Sequence, residues 1–449
     1  MFIVDRIKRH LFNTKRSSKS SLYLLIEGYI VLTLLCLGIL MLPISQSADI
    51  SFVDLLFLAT SIVSTTGLSP IDFSLSMSFF GELSTLFFIQ LGGIGYMALS
   101  SFIILKHSHH LPKLSARLLR LEFNLPQRYP LISFIYSVLI FTVLIETIGA
   151  LLLYIGFTKA GVENPIWSAI FHSISAFCTA GFSLYSDSIT SFEGNHWINI
   201  TILVLSILGS VGFIVLLDFW LKIVRKRKHV TLTSKIILAT TVFTIVVGTL
   251  LLYFSDGLLV SQGIRGLKIA FFQLVSAHTT VGFNNFPIEN LKLGGTLIMI
   301  IVMVIGASPA GTGGGVKTTS ITALFGLLYS ILKKRKHITF FDKEIPVDKV
   351  YLAISSTIFY IVLLLLGTWM VVQIDGMKFS FDKLLFECAS ALSTVGLSTG
   401  ISSELSDANK VIISIMMFIG RLGVMTFGFA LISQSPQARK KPKVEDIAV

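Results

Sequence analysis

Four short strings of small residues recur along the chain, and in each of them Thr stands two positions before Gly. Gly adopts backbone angles that are closed to residues with a Cβ, so such a string can turn its carbonyl groups towards a common axis. A ring of carbonyl oxygens can replace the hydration shell of a cation. The strings are Ser64-Thr65-Thr66-Gly67-Leu68-Ser69, Cys178-Thr179-Ala180-Gly181-Phe182-Ser183, Thr279-Thr280-Val281-Gly282-Phe283-Asn284 and Ser393-Thr394-Val395-Gly396-Leu397-Ser398.

One such string alone would be interpreted as a simple helix C-cap. A second glycine marker, however, follows each string at nearly constant spacing. The intervals are 25 residues to Gly92, 28 to Gly209, 24 to Gly306 and 24 to Gly420. Two markers that keep one spacing through four copies indicate an internal repeat.

The elements that must position these strings are apolar. The 449 residues are 53% hydrophobic and 13% charged, and the mean hydropathy is +0.82, which is more apolar surface than a soluble fold of this length buries. Apolar runs of spanning length occur at about 21–44, 77–105, 131–157, 199–223, 235–254, 294–304 with a broken continuation to 332, 350–374 and 410–432.

Each string follows a shorter apolar stretch that is too short to cross a bilayer. These stretches, at 51–64, 166–178, 267–279 and 381–393, are interpreted as re-entrant half-helices whose C-terminal dipole ends favour cations. Non-helical backbone is tolerated at membrane depth only where it is buried in protein or lines a wet cavity. We therefore predict an all-α membrane protein with eight transmembrane helices and four re-entrant pore half-helices. They form four span–pore loop–span repeats with pseudo-fourfold symmetry around one pore.

The predicted organisation follows from these elements. It is a cytoplasmic N-terminus (1–21), repeat 1 (22–105), a basic loop (106–128), repeat 2 (129–224), a basic loop (225–234), repeat 3 (235–332), a basic loop (333–347), repeat 4 (348–433) and a cytoplasmic C-terminal tail (434–449).

The formal charge of +12 does not indicate nucleic-acid binding. Of the 36 Lys and Arg, 27 fall in five segments: 1–21, 106–128, 222–235, 333–349 and 439–443. These segments are the two ends and every second connection, whereas a nucleic-acid interface needs its cations on one face. The positive-inside rule places both termini and the basic loops in the cytoplasm of a multi-pass cell-membrane protein.

Other chemistry is absent from the pattern. Cys36, Cys178 and Cys388 lie in apolar segments without C-x-x-C spacing, so they indicate neither a metal site nor a disulfide framework. No G-x-S-x-G or H-E-x-x-H motif occurs, so an enzyme is not expected. No bound cofactor is expected, and a transported cation at the four strings is the only metal ion predicted.

A glycine-rich string interrupts the sixth span. Gly306–Thr319 contains five glycines and a proline, which must break a helix. Lys317-Thr318 resembles the end of a phosphate-binding loop, but Val316 stands where the last glycine is required, and no strand precedes the string. A flexible gating loop beneath the four strings is favoured, and a kink that only fits neighbouring helices stays open.

Arg421 is the one charge in the middle of the last span. An arginine there costs roughly 2.5–3.5 kcal/mol on translocon scales, which indicates a function. One interpretation places it in the pore below the four strings. The other pairs it with a buried carboxylate such as Glu146.

These motifs resemble the Ktr/Trk/HKT superfamily of potassium transporters, and within it the bacterial Ktr-type membrane subunit. The resemblance covers about 22–429 and rests on the four strings, on Gly306–Thr319 and on Phe418-Ile419-Gly420-Arg421-Leu422-Gly423. It implies that the strings form a potassium filter, from Ser64 to Gly67, Cys178 to Gly181, Thr279 to Gly282 and Ser393 to Gly396. It also implies a gate at Gly306, Ala310, Gly311, Thr312, Gly313, Gly314, Gly315, Lys317 and Arg421.

The resemblance implies partners as well. It implies a homodimer within membrane lipid, beneath an octameric ring of cytosolic regulatory subunits that bind adenine nucleotides, and no nucleic acid. It implies uptake of potassium with sodium as a possible coupling ion. Glycine in all four strings goes with potassium preference in this family, whereas a serine in the first string marks sodium-preferring plant members, so Gly67 favours potassium.

A secondary transporter of another small cation or solute is the competing interpretation. Transporters of that class bind substrate at broken helices near the midplane. They usually show twofold repeats, whereas this chain shows four copies in one orientation.

Overall fold

The computed structural model describes residues 18–108, 110–123, 125, 129–226, 228–335 and 337–432. The predicted tail at 434–449 and nearly all of the predicted N-terminal segment lie outside these residues. The described part is α-helical apart from a two-residue hairpin. Short 3₁₀ turns lie at Pro43–Ser45, Thr190–Phe192, Ile288–Asn290 and Ser402–Glu404.

Five helices make up the first repeat. They are α1 (Ser18–Leu40), α2 (Phe52–Val63), α3 (Phe73–Ser76), α4 (Phe79–Ile94) and α5 (Tyr96–Ser108). The half-helix α2 begins where the Ser51 hydroxyl accepts from the Asp54 N–H, a standard N-cap. It ends at the first string, because Thr65 leaves the helical region with φ of +51°.

An amphipathic helix connects the first repeat to the second. This connecting helix is α6 (Lys113–Glu122). The helices of the second repeat are α7 (Leu131–Lys159), α8 (Pro165–Phe177), α9 (His196–Val211) and α10 (Phe213–Ile223). Leu118 and Leu119 of α6 are buried while Lys113 is exposed, as expected for a helix on a protein surface. Pro165 starts the half-helix α8 at the position where a missing N–H costs nothing.

The third repeat contains the glycine-rich string between two helices. Its helices are α11 (Leu232–Ser255), α12 (Gly257–Ser261), α13 (Ile264–Thr279), α14 (Leu293–Ile305) and α15 (Thr318–Leu332). The half-helix α13 starts three residues before the predicted range, after Gly263 at φ of +56°.

The fourth repeat follows a small hairpin in the basic connection. The elements are β1 (Thr339–Phe340), β2 (Lys343–Glu344), α16 (Val347–Asp375), α17 (Phe381–Leu392), α18 (Asp407–Leu422) and α19 (Val424–Ile432). The two strands are antiparallel, with Thr339 opposite Glu344. The half-helix α17 lies within one residue of its predicted range.

The second span of each repeat is not one straight helix, whereas the prediction included a break only in the sixth span. Within the described residues, four helices are long and apolar enough to cross a membrane by themselves: α1, α7, α11 and α16. Helices α4 and α5 meet at an angle of 84°, and α9 and α10 at 92°. Gly95 lies between α4 and α5 at φ of +83°, and Gly212 lies between α9 and α10 at +86°. Gly423 lies between α18 and α19 at +83°, and Gly306 ends α14 at +66°. The second apolar run of every repeat is therefore broken by glycine.

The half-helices lie at the centre, and the long helices surround them. Phe57, Phe177 and Leu392 of the half-helices are 2% exposed or less, whereas Val143 of α7 is 66% exposed and Val242 of α11 is 60% exposed. Apolar side chains facing outward from the long helices are what a lipid solvent requires.

Candidate functional site

The four Thr-x-Gly strings share one backbone conformation. The threonine two before each glycine has a left-handed φ between 50° and 59°, and the glycine has a positive φ between 67° and 93°. A non-glycine residue at positive φ is uncommon and marks a position that the surroundings hold in place. The threonines are Thr65, Thr179, Thr280 and Thr394, and the glycines are Gly67, Gly181, Gly282 and Gly396.

A serine six positions before each glycine anchors its string. The N–H of the residue before the glycine donates to the serine carbonyl in every copy, at 2.8 to 3.1 Å. The serines are Ser61, Ser175, Ser276 and Ser390.

The serine hydroxyls anchor the strings in two ways. In copies 1 and 4 the hydroxyl accepts from the glycine N–H at 3.0 Å. In copies 2 and 3 it donates to the carbonyl after the glycine, at 2.8 and 2.6 Å. Sequence reasoning missed these serines, although their constant spacing was visible.

The four glycines contact one another in chain order around a closed ring. A Cβ on Gly67 would stand 3.4 Å from Gly181 Cα, one on Gly181 3.1 Å from Gly282 Cα, and one on Gly282 3.1 Å from Gly396 Cα. The ring closes because a Cβ on Gly396 would stand 3.0 Å from Gly67 Cα.

Each of these positions also lies against a carbonyl oxygen of the next string. The added Cβ would approach that oxygen closer than 3.0 Å, a distance that real Cβ atoms essentially never show. The oxygens belong to Ala180, Val281, Val395 and Thr66. The ring therefore has room only for glycine.

Oxygen atoms without full charges surround this ring. The described residues contain no group of three or more His, Cys, Asp or Glu that could hold a metal ion. The hydroxyls of Thr280 and Thr394 are buried and have no hydrogen-bond partner within the described chain. Neutral carbonyl and hydroxyl oxygens suit a weakly hydrated monovalent cation rather than a transition metal.

The glycine-rich string folds into a compact loop between α14 and α15. Ala307 N–H donates to Gly314 O at 3.0 Å, and Val316 N–H to Val304 O at 3.0 Å. The Lys317 ammonium donates to Gly313 O at 2.6 Å. These bonds give the loop one defined shape although it interrupts the helix.

This loop packs against three strings of the ring at the C-terminal ends of the half-helices. Thr179 Oγ1 donates to Thr312 Oγ1 at 2.9 Å. A Cβ on Gly314 would stand 2.6 Å from Thr394 Oγ1, and one on Gly313 closer than 3.0 Å to Thr280 Oγ1. The structure thus places Gly311 to Gly315 directly beneath the ring.

Arg421 occupies the remaining position, beneath the first string. Its guanidinium donates to Thr65 Oγ1 at 3.1 Å and to Gly93 O at 3.2 Å. It also donates at short range to Gly92 O and to Thr312 O. Arg421 therefore connects the first string to the glycine-rich loop.

The alternative pairing of Arg421 with Glu146 is not what the structure shows. Glu146 accepts from the side-chain amide of Gln90 and from the Cys178 thiol, the latter at 3.6 Å. The arginine is instead held by backbone carbonyls and hydroxyls, which provide partial negative charge without a salt bridge.

A second carboxylate, that of Glu122, lies near Arg421 but outside the spans. Glu122 is the last residue of α6, and it accepts from the Tyr29 hydroxyl at 3.2 Å. The residue as a whole is half-buried, but its Oε2 atom is inaccessible to solvent and has no hydrogen-bond partner among the described residues. Burial raises the pKa of Glu122 to about 8, a rise that the charge of Arg421 opposes.

Comparison with known proteins identifies the family. A family model described as the cation transport protein TrkH matches residues 2–441. The chain belongs to the TrkH family of cation transport proteins. It is accordingly a multi-pass membrane transporter and not an enzyme.

Individual relatives match over most of their length. Ktr system potassium uptake protein B of Vibrio alginolyticus is 33% identical over 414 residues, which are 90% of each chain. The potassium/sodium uptake protein NtpJ of Enterococcus hirae is 29% identical over 97% of this chain and 98% of its own. The crystal structure of the potassium transporter TrkH from Vibrio parahaemolyticus has the same fold. It superposes with a TM-score of 0.72 at 20% identity and covers 94% of this chain and 86% of that one.

Proposed function

We propose that this chain is the pore-forming subunit of a potassium uptake system and that the ring of four strings is its selectivity filter. The observation that carries the proposal is the closed contact of Gly67, Gly181, Gly282 and Gly396. A ring of this kind surrounds one axis with backbone from all four repeats, and backbone carbonyls can substitute for the water around a dehydrated cation.

Several features favour potassium over other solutes. The ring leaves no room for a Cβ, and a backbone that approaches this closely leaves no space for an organic substrate. The half-helices end at the ring, so their negative dipole ends favour a cation. The relatives are named as potassium or potassium/sodium uptake proteins, and we extend potassium to this chain on that likeness.

We further propose that Gly306 to Lys317 and Arg421 form the gate. Thr312, Gly313 and Gly314 lie against three of the four threonines, and Arg421 bonds to the fourth. An ion leaving the ring on this side must pass the loop and a fixed positive charge. Displacement of the loop would open the path.

The remaining proposals concern assembly and orientation. We propose that both termini lie in the cytoplasm, because the positive-inside rule assigns the basic connections to that side. We propose a homodimer beneath a cytosolic ring of nucleotide-binding regulatory subunits, with uptake dependent on sodium. The name Ktr system favours additional subunits, and the name potassium/sodium uptake protein favours sodium. The dimer and the nucleotide-binding ring rest on the resemblance of the sequence motifs to the superfamily.

Expression in cells that lack potassium uptake tests the function. The wild-type chain restores growth at low external potassium and takes up rubidium when purified and reconstituted in vesicles. Gly161→Ala serves as a control for expression and purification, because an added Cβ at Gly161 has no atom within 4 Å. A correctly inserted, monodisperse protein that neither rescues growth nor transports rubidium would refute the filter assignment.

A further inference from the structure

Two apolar grooves run along opposite sides of α9 on the outer surface of the helix bundle. One lies between α7 and α9, has a volume of about 430 Å³ and is lined by Ile148, Leu152 and Val204. The other lies between α9, α11 and α13, has a volume of about 930 Å³ and is lined by Val246 and Leu250 among others.

His196 and Ile200 line both grooves. His196 is the first residue of α9, at the end of the helix on the side of the half-helix N-termini. Ile200 is 59% exposed and forms the ridge between the grooves. The two apolar grooves thus share one polar residue, His196.

A rim of charged side chains, formed by Lys268, Arg265 and Glu193, lies beside His196. Lys268 Nζ lies 3.2 Å from His196 Nε2, and both side chains are exposed. Arg265 forms a bidentate pair with Glu193 at 2.7 and 2.8 Å. The hydrogen bonds from Arg265 hold the pKa of Glu193 below its usual range, so these two charges offset each other. Lys268 is left as the excess charge of the rim.

We propose that this surface binds one diacyl phospholipid with an anionic head group. Its phosphate accepts from Lys268 and His196, and its two acyl chains occupy the grooves on either side of Ile200. The grooves are apolar where acyl chains lie, and the rim is positive where the head group lies, so charge and hydrophobicity both match this ligand.

A second copy of the chain fits this surface less well. A twofold contact through this face would bring two identical cationic rims together. The grooves are also concave and separated by a single ridge, whereas a helix face of a partner would meet the ridge first. The proposal depends on neither the filter nor the gate.

Native mass spectrometry of the purified protein tests the proposal with dioleoylphosphatidylglycerol and dioleoylphosphatidylcholine as probes. The wild type is expected to retain phosphatidylglycerol at lower lipid concentration than phosphatidylcholine. The double substitution His196→Gln with Lys268→Gln should weaken phosphatidylglycerol binding about fivefold, as ~1 kcal/mol for the lost lysine charge implies. Lys159→Gln, an exposed lysine outside both grooves, should leave binding unchanged.

Val246→Trp tests the acyl groove separately. Val246 is 54% exposed, so the larger side chain should fit without disturbing the fold and should reduce retention of both lipids. Unchanged lipid binding in either groove or rim variant would overturn the proposal. A change in oligomeric mass with unchanged lipid retention would also overturn it, because the face would then be a protein interface.

Discussion

Substitution of Gly181 by Ala tests the ring, because the added Cβ has no space. It would lie closer than 3.0 Å to Val281 O, whereas ordinary contacts begin at 3.4 Å. The two strings must therefore separate by more than the 0.4 Å difference between these distances. The left-handed φ of +67° adds a cost of roughly 1–2 kcal/mol for a residue with a Cβ.

The expected effect on transport follows from one displaced carbonyl. If Val281 O no longer faces the ion, one charge-assisted oxygen contact of about 1.5–3 kcal/mol is lost. This corresponds to roughly 10- to 150-fold weaker apparent affinity for the ion. Rubidium uptake into vesicles, measured as initial rate against rubidium concentration, reports that affinity.

Gly161→Ala is the matched control for this experiment. Gly161 has φ of +75°, close to that of Gly181, but an added Cβ there meets open space. It should lose a similar amount of stability and keep wild-type uptake. Equal rubidium affinity in Gly181→Ala and Gly161→Ala would refute the ring of backbone oxygens as the selective site.

Three further substitutions test the gate, the anchors and the connecting helix. Arg421→Ala should speed rubidium uptake roughly 10- to 20-fold, because a unit charge ~10 Å from the ion path contributes ~1.7 kcal/mol at an effective dielectric constant of ~20. Loss of folded protein instead would indicate a purely structural arginine. Ser276→Ala leaves the buried Phe283 carbonyl without its hydrogen bond. It should cost about 1–3 kcal/mol of stability and reduce rubidium uptake. The control Ser261→Ala, at an exposed hydroxyl, should change neither stability nor uptake. Burial raises the pKa of Glu122 to about 8. Its contribution to stability is therefore fully present below about pH 4.5 and is lost as the pH rises through about 8. The melting temperature should fall between about pH 5 and pH 8 and level off above that. Glu122→Gln should abolish the fall, and a variant that keeps the wild-type pH profile would contradict the assignment.

The repeat could be predicted because glycine spacing encodes backbone geometry. The half-helices also followed from length alone, since 10–14 apolar residues neither cross a bilayer nor belong to an exposed loop. The ring itself needed coordinates, because sequence does not show that Gly396 returns to Gly67.

The breaks in the second, fourth and eighth spans were missed for a physical reason. A continuous apolar run satisfies the length criterion for a span whether or not its backbone turns. The signal was nevertheless present, since Gly95, Gly212 and Gly423 stand three residues after the markers Gly92, Gly209 and Gly420. A glycine repeated in register predicts a positive φ in each copy.

The partners of Arg421 were not accessible from sequence. A buried arginine suggests a carboxylate, and Glu146 was the available candidate in the spans. The structure satisfies the guanidinium with carbonyls of Gly92 and Thr312, which carry no sequence signature because every residue has a carbonyl.

The closed ring has a consequence for the order in which the chain can fold. The contacts that join the last repeat to the first include Lys410 with Asp54 and Arg421 with Thr65, both pairs 356 residues apart. Since closure entropy grows only with the logarithm of loop length, joining these repeats costs about 1 kcal/mol more than joining neighbours a third as far apart. The consequence is kinetic instead, because the ring cannot close before the fourth string has been synthesised. Until then the first three strings lie in the membrane without their contacts to the fourth.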